Sequence, residues 1–262
     1  MQFRNKRINY KIEGKGNAIV LLHGFLESLN IWDDFTKELA TDYKVIRIDL
    51  PGHGKSENIE TVHTMGLMAE SVKAVLDAEG IKKCVMVGHS MGGYTTLAFA
   101  EQYPDYLKGF TLFHSAAHAD SEETKANRDR TIAIVENDRA GFINNFIPDL
   151  FAPDNVKRFS KEIESLKKTA ANTSKEAIIA ALKGMKERTE KLSLLRTIAI
   201  PVMYIIGKED SRIKTDIALG QAALPYRCSV ALLGGVGHMG YIEAGEETLK
   251  AIKCFAESIN QG

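Results

Sequence analysis

Short, mainly apolar runs recur along the chain at residues 18–22, 45–48, 84–87, 110–113, 202–206 and 230–233, most of them closed by glycine or proline. Unbroken runs of this length suit strands buried on both faces. Residues 2–13 instead alternate polar and apolar and end at Gly14 and Gly16. That alternation predicts a strand pair or hairpin at a sheet edge. Between the runs the period lengthens. Met68, Val72, Val75 and Leu76 share one face of a helix over 64–79, with Gly80 as its stop. Residues 91–103 run without proline until Pro104, and Leu249, Ile252 and Phe255 form a stripe over 246–259. Strands alternating with helices predict an α/β architecture, a mostly parallel central sheet with helices on both faces.

One region breaks this rhythm. From about residue 119 to 195 there is no convincing strand, and Lys, Glu, Asn and Ala dominate. Phe142, Phe146, Ile147, Leu150 and Phe151 are among its apolar residues. Its length and its place between two strands read as a helical cap over 119–190. The core then comprises 1–118 and 191–262.

The chain of 262 residues suits one domain carrying such an insertion. Lys+Arg and Asp+Glu are equal at 34 each. No excess of positive charge supports binding to nucleic acid or to an anionic membrane, so the expected partner is a small molecule. Cys84, Cys228 and Cys254 match no zinc or redox spacing, and reduced thiols in a cytosol are the expectation. The N-terminus lacks the apolar core of a secretory signal, and no run approaches the length of a membrane span. A cytoplasmic location is expected. The oligomeric state is left open.

After the run at 84–87 comes Gly88-His89-Ser90-Met91-Gly92-Gly93 and then a helix. This is G-x-S-x-G in the context of strand, sharp turn and helix. The serine must stand at the tip of a strained turn, where side chains two residues either side would collide with neighbouring elements. The helix that follows aims its first amides at the place where negative charge would develop. His89 would point away from the tip that Ser90 occupies.

With these residues the chain resembles the α/β-hydrolase superfamily over nearly its whole length. His23-Gly24-Phe25 looks like the family's oxyanion loop, and Asp49-Leu50-Pro51-Gly52-His53-Gly54-Lys55-Ser56 looks like its D-x-P-G-x-G-x-S turn. Each motif follows a predicted strand, in the family's order. The resemblance implies an α/β-hydrolase fold with an inserted helical cap. It also implies a triad in the order Ser, acid, His. His238, after the last run and before the C-terminal helix, stands where the family carries its base. His23 and His53 would be loop anchors, and His63, His114 and His118 have no such context. Asp210, after Gly207, matches the family's acid, and Asp120 is the alternative, because some members draw the acid from the preceding strand. The backbone amides of Phe25 and Met91 would form the oxyanion hole.

Gly235-Val236-Gly237-His238-Met239-Gly240 also spells G-x-G-x-x-G. A dinucleotide site would need a further strand ending in an acid after the next helix, and the chain finishes after one helix. No metal or organic cofactor is expected. A serine nucleophile argues against epoxide or haloalkane hydrolysis, which the family performs with aspartate. It favours cleavage of an ester or related acyl bond, with a carbon–carbon hydrolase, acyltransferase, lyase or non-turnover receptor as alternatives. The cap would supply an apolar wall, with Phe142 and Phe146 touching substrate.

A fluorophosphonate probe is expected to label the protein once, at Ser90, and Ser90→Ala is expected to abolish labelling. Peptide mapping of the labelled protein checks this; a label on another serine contradicts the assignment.

Overall fold

The computed structural model describes residues 1–260; residues 261 and 262, the end of the expected core, lie outside the described residues. Strands β1 (Gln2–Phe3) and β2 (Lys6–Arg7) pair antiparallel in a small sheet of their own. The central sheet holds β3 (Tyr10–Glu13), β4 (Ala18–Leu22), β5 (Lys44–Ile48), β6 (Cys84–His89), β7 (Leu107–Phe113), β8 (Val202–Gly207) and β9 (Cys228–Leu233). Its spatial order is β3-β5-β4-β6-β7-β8-β9. Only β3 runs antiparallel to its neighbour; the other pairings are parallel. The alternating N-terminus therefore splits in two, a separate ribbon followed by the edge strand of the main sheet.

Every residue of β4, β6 and β8 is buried, as unbroken apolar runs require. β9 departs from its expected burial. It is the far edge of the sheet, and Val230 and Leu232 remain 45% and 40% exposed. A run of apolar letters cannot by itself tell a central strand from an edge.

Helices join the parallel strands. They are α1 (Asp33–Leu39), α2 (Met65–Ala78) and α3 (Met91–Gln102), then α4 (Glu122–Phe146), α5 (Ser160–Ala171) and α6 (Lys175–Lys186). After them come α7 (Leu192–Thr197), α8 (Thr215–Ala222), α9 (Gly240–Glu243) and α10 (Gly245–Asn260). The expected α2 begins where Thr64 Oγ1 accepts the Leu67 amide at 3.1 Å, an N-cap that fixes the helix start. α3 packs on β4, β6 and β7, while α10 lies on β7 and β9. α4, α5 and α6, with short 3-10 turns at Pro148–Leu150 and Pro153–Asn155, fill the stretch between β7 and β8 without a strand among the described residues. α4 kinks at Asp138 (φ −144°, ψ 76°), ahead of the segment that carries Phe142 and Phe146. Among the described residues no helix is long and apolar enough to cross a membrane. The three cysteines are free, with Cys84 buried and Cys254 exposed.

Close approach of backbones governs the junction of β6 and α3. A Cβ on Gly92 would lie 2.5 Å from the Leu22 carbonyl oxygen of β4, and one on Gly88 would lie 2.3 Å from the Gly92 carbonyl oxygen. Backbone, not a flexible side chain, blocks both. Gly92→Ala is therefore expected to be destabilising by about 1–3 kcal/mol, as overpacking is, and to reduce labelling of Ser90. A melting temperature unchanged from wild type would show that the junction has room to spare.

Candidate active site

Ser90 sits between β6 and α3 with φ 51° and ψ −114°, in the left-handed half of backbone space. Leu26 (φ 63°) and His114 (φ 48°) share this property. For residues with a Cβ such conformations cost of order 1–2 kcal/mol each, and they gather where structure elsewhere over-determines them. Ser90 is locked through its backbone. Its amide donates to the Phe113 carbonyl at 2.9 Å, and its own carbonyl accepts Ser115 Oγ at 2.9 Å and the Gly93 amide at 2.9 Å. Its side chain makes no capping bond to α3 and is half-buried, so the hydroxyl is not engaged in ending the helix.

His238 lies on the loop between β9 and α9. Glu243 holds the amides either side of it, Gly237 at 3.0 Å and Met239 at 3.1 Å, through Oε1. The His238 amide donates to the Leu150 carbonyl at 2.7 Å. His238 Nδ1 donates to Asp210, at 3.0 Å from Oδ1 and 2.9 Å from Oδ2. The assignment of the proton to Nδ1 follows because a carboxylate only accepts. That leaves Nε2 as the free base. Ser90 and His238 line the same cavity. No hydrogen bond joins Ser90 Oγ to His238 among the described residues; such bonds commonly tighten only with substrate in place.

Asp210 is held by more than His238. Oδ1 also accepts the amides of Arg212 at 2.7 Å and Ile213 at 3.0 Å, and Oδ2 accepts His114 Nδ1 at 3.0 Å. Burial opposes its charge, but His238 and then His114 outweigh burial and hold its carboxyl well below the usual range. His114 departs from its sequence reading. It is fully buried and belongs to the site, with an Nε2 that has no partner. Burial, opposed by Asp210, pushes it down to about 4, so it is a neutral donor at working pH. Ligand atoms of His114, Asp210 and His238 lie within 4.8 Å of one another. The 2.9–3.0 Å contacts are direct hydrogen bonds from the two ring Nδ1 atoms to the Asp210 carboxylate. The chemistry of the set is that of an acid orienting imidazoles.

Asp120 is placed elsewhere. Its buried carboxylate pairs with Arg128 and with Arg188 Nη1 at 2.5 Å, and it makes no bond to His238. His23 bonds its own loop, Nδ1 donating to the Gly24 carbonyl at 2.7 Å and Nε2 accepting the Leu50 amide at 3.0 Å. His53 Nδ1 likewise reaches the Pro51 carbonyl at 3.1 Å. Phe25, on the loop after β4, lines the cavity with Ser90, and Met91 opens α3 directly after it; both are buried. Phe142 and Phe146 line the cavity, and the Phe146 ring meets that of Phe25 edge-on at 5.8 Å.

The cavity measures about 350 Å³. Its wall is not only apolar. The lining also includes Arg128, Arg188 and Asp120; the sequence reading weighs Asp120 only as a catalytic acid and does not single out the two arginines. Their side chains are 17%, 7% and 2% exposed. Two guanidiniums therefore share one buried carboxylate, and a positive charge is left over. Arg188 also stacks on the Tyr94 ring at 4.0 Å, and its Nε has no partner.

The sequence matches the α/β hydrolase fold family over residues 17–244. The chain belongs to the α/β-hydrolase family. It is an enzyme of that family, and its parallel sheet and flanking helices are the family's fold. This α/β hydrolase superposes with TM-score 0.92 on a thermophilic esterase from Thermogutta terrifontis, solved with malate bound, at 29% identity over 97% of this chain and 94% of that one. The enol-lactonase from Burkholderia xenovorans LB400 shares the fold, with TM-score 0.89 and 22% identity over 95% and 96%. A 2-hydroxy-6-oxononadienedioate/2-hydroxy-6-oxononatrienedioate hydrolase from Pseudomonas sp is 26% identical over 226 residues, 82% of this chain and 79% of that protein.

Two predictions follow the charges. Asp210→Asn should lower kcat by on the order of 10⁴-fold, because the amide presents the wrong group to His238 Nδ1, while Asp120→Asn should change kcat far less. Steady-state kinetics of both variants decide it; the reverse order would move the acid to Asp120. The second concerns stability. His114 and His63 titrate at about 4 and His53 at about 3, all lowered first by burial, against an ordinary 6.5. From about pH 6.5 downward the unfolded chain binds protons that the folded chain refuses. Each such histidine then removes about 1.4 kcal/mol per pH unit until its folded pKa is reached. The melting temperature should fall steadily from pH 7 to pH 5, and His114→Asn should make that slope shallower. A flat profile would contradict the burial of neutral imidazoles.

Proposed function

We propose that this α/β hydrolase cleaves a carboxylic ester through an acyl-enzyme on Ser90, and that its substrate carries a carboxylate. His238 Nε2 takes the Ser90 proton as Oγ bonds to the acyl carbon. The Phe25 and Met91 amides take the oxyanion, a contribution of about 3–4 kcal/mol each where such donors are removed by mutation. As the carbon–oxygen bond breaks, His238 returns the proton to the leaving alcohol. Water, deprotonated by His238, then releases the acid and restores Ser90. Asp210 keeps the imidazole in the Nδ1–H tautomer and offsets its charge. The helices between β7 and β8, as a cap over 119–190, close the cavity, with Phe142 and Phe146 against the apolar part of the substrate.

The observation that carries the reading of substrate class is the Arg128–Asp120–Arg188 set on the cavity wall, with its surplus positive charge. A buried charge without a counterion is expensive, and a substrate carboxylate supplies one. The malate in the Thermogutta esterase and the dioate substrates named for the Pseudomonas hydrolase are in keeping with it. The latter relative favours a second reading, hydrolysis of a carbon–carbon bond beside a ketone in an anionic substrate, with the same residues in the same roles.

p-Nitrophenyl acetate, butyrate and octanoate, set beside the p-nitrophenyl hemiesters of succinate and glutarate, test the proposal. The hemiesters should be preferred in kcat/KM by about 10–100-fold, the range of a charge-assisted bond, and Arg188→Met should erase the preference while sparing the neutral short esters. Phe142→Ala should alter the ranking by chain length. Equal turnover of neutral and anionic esters would remove the carboxylate from the reading, and labelling of Ser90 without turnover of any ester would favour the carbon–carbon alternative.

A further inference from the structure

Behind the Ser90 turn lies a buried ion pair that the reaction sketched above does not use. His89, the residue before Ser90, is 1% exposed in its side chain, and Glu27, on the loop after β4, is 3% exposed. His89 Nδ1 lies 3.0 Å from Glu27 Oε2, and His89 Nε2 lies 2.9 Å from the backbone carbonyl of His238. Both partners accept. A neutral imidazole has only one N–H, so with Glu27 ionised both bonds are made only when the ring carries two, the carboxylate being its counterion. Glu27 is itself fully used. Its Oε2 accepts the Gly24 amide at 2.5 Å, and Oε1 accepts Tyr241 Oη at 3.1 Å.

The chain of contacts therefore runs from the amide that precedes Phe25, through Glu27 and His89, to the peptide of His238. We propose that Glu27 and His89 are positioning residues, a buried carboxylate–imidazolium clamp that fixes the oxyanion loop and the catalytic histidine relative to each other. The proposal rests on the acyl-transfer reading of Ser90 and His238. Three further observations bear on it. A Cβ on Gly24 would lie 2.8 Å from Glu27 Oε2 and 2.9 Å from His89 Nδ1, so the loop closes on the pair as tightly as glycine allows. Leu26, between Phe25 and Glu27, is held in a left-handed conformation that an untethered loop would relax. Burial opposes both charges; the partner, together with the Gly24 amide and His23 for Glu27 and with the His238 carbonyl and Asp210 for His89, outweighs it, lowering the Glu27 pKa and raising that of His89. The groups facing the imidazolium are Glu27 and Tyr241 on one side and the rings of His238 and His114, with Asp210 behind them, on the other.

The clamp is tested in two ways. In wild-type protein labelled with ¹⁵N-histidine, the His89 ring should show two N–H groups at pH 8, where an ordinary imidazole (pKa about 6.5) shows one; a single N–H overturns the proposal without any assay of activity. Glu27→Gln, His89→Gln and the double variant are then compared by the rate at which a fluorophosphonate modifies Ser90, and by kcat and KM. A misplacement of about an ångström can cost about 100-fold. Each single variant should lose labelling rate and kcat by about 10–100-fold with KM little changed, and the double variant should be no worse than the poorer single one, as for residues that act as a unit. Folded variants with a lowered melting temperature but a wild-type labelling rate would reduce the pair to a packing role. Because labelling needs no ester, a wild type that labels but does not hydrolyse esters would refute the ester reading and leave the clamp standing.

Discussion

The site depends on one backbone constraint, the reversal at Ser90 that lets a buried strand feed directly into a helix. The turn is tight enough that β6, α3 and β4 meet backbone to backbone at Gly88 and Gly92. A serine at φ 51° is held there by its amide on Phe113 and by three donors on its carbonyl, Gly93, Tyr94 and Ser115. Everything else in the site is arranged about a hydroxyl that this turn leaves uncommitted. The amide of Met91 opens α3 beside it, and the loop after β4 reaches it only because Gly92 lets that backbone come close.

Around the turn, charge is buried in sets. Asp210 accepts from two imidazoles and two amides, so its charge is spread over four donors. Glu27 and His89 cancel one another. Asp120, with Arg128 and Arg188, does not cancel. Isolated buried charges are costly enough that they are paired almost without exception. The Arg128–Asp120–Arg188 set, in which one positive charge is left over, lines the cavity.

Local geometry was legible in the sequence, and long-range pairing was not. The turn at Ser90 and the loop at Asp210 could be read because each sits at the end of an apolar run, where sequence neighbours are spatial neighbours. The parallel sheet was legible for the same reason, down to the runs that became β4, β6 and β8. His114 offered no such signal. It follows an ordinary strand, and only the pairing of β7 with β8 brings its Nδ1 against Asp210, 96 positions away. Glu27 and His89 are 62 positions apart, and Arg188 meets Asp120 across 68. The letters of β9 read as a core strand because periodicity reports hydrophobicity and not a neighbour; the sheet ends there. The apolar wall expected of the inserted helices is half of the truth. Phe142 and Phe146 are on it, but so are the arginines, whose aliphatic stems and, for Arg188, stacking on Tyr94 make them compatible with burial.

The inserted helices also bear on the base itself. The His238 amide donates to the Leu150 carbonyl, and Glu243, which grips Gly237 and Met239 with one oxygen, uses the other for the Ala152 amide and the Asn155 side chain. A Cβ on Gly237 would strike the Ala152 amide nitrogen at 2.4 Å. The short turns between α4 and α5 are thus joined to the loop of the proposed base by direct hydrogen bonds, not merely laid over the cavity. A segment that only covered the substrate could move without touching the chemistry. Here the Leu150–Asn155 stretch is bonded to the peptide of His238 and to the glutamate that holds its neighbours, so the segment that places Leu150 on the cavity wall and the loop of the proposed base are tied together.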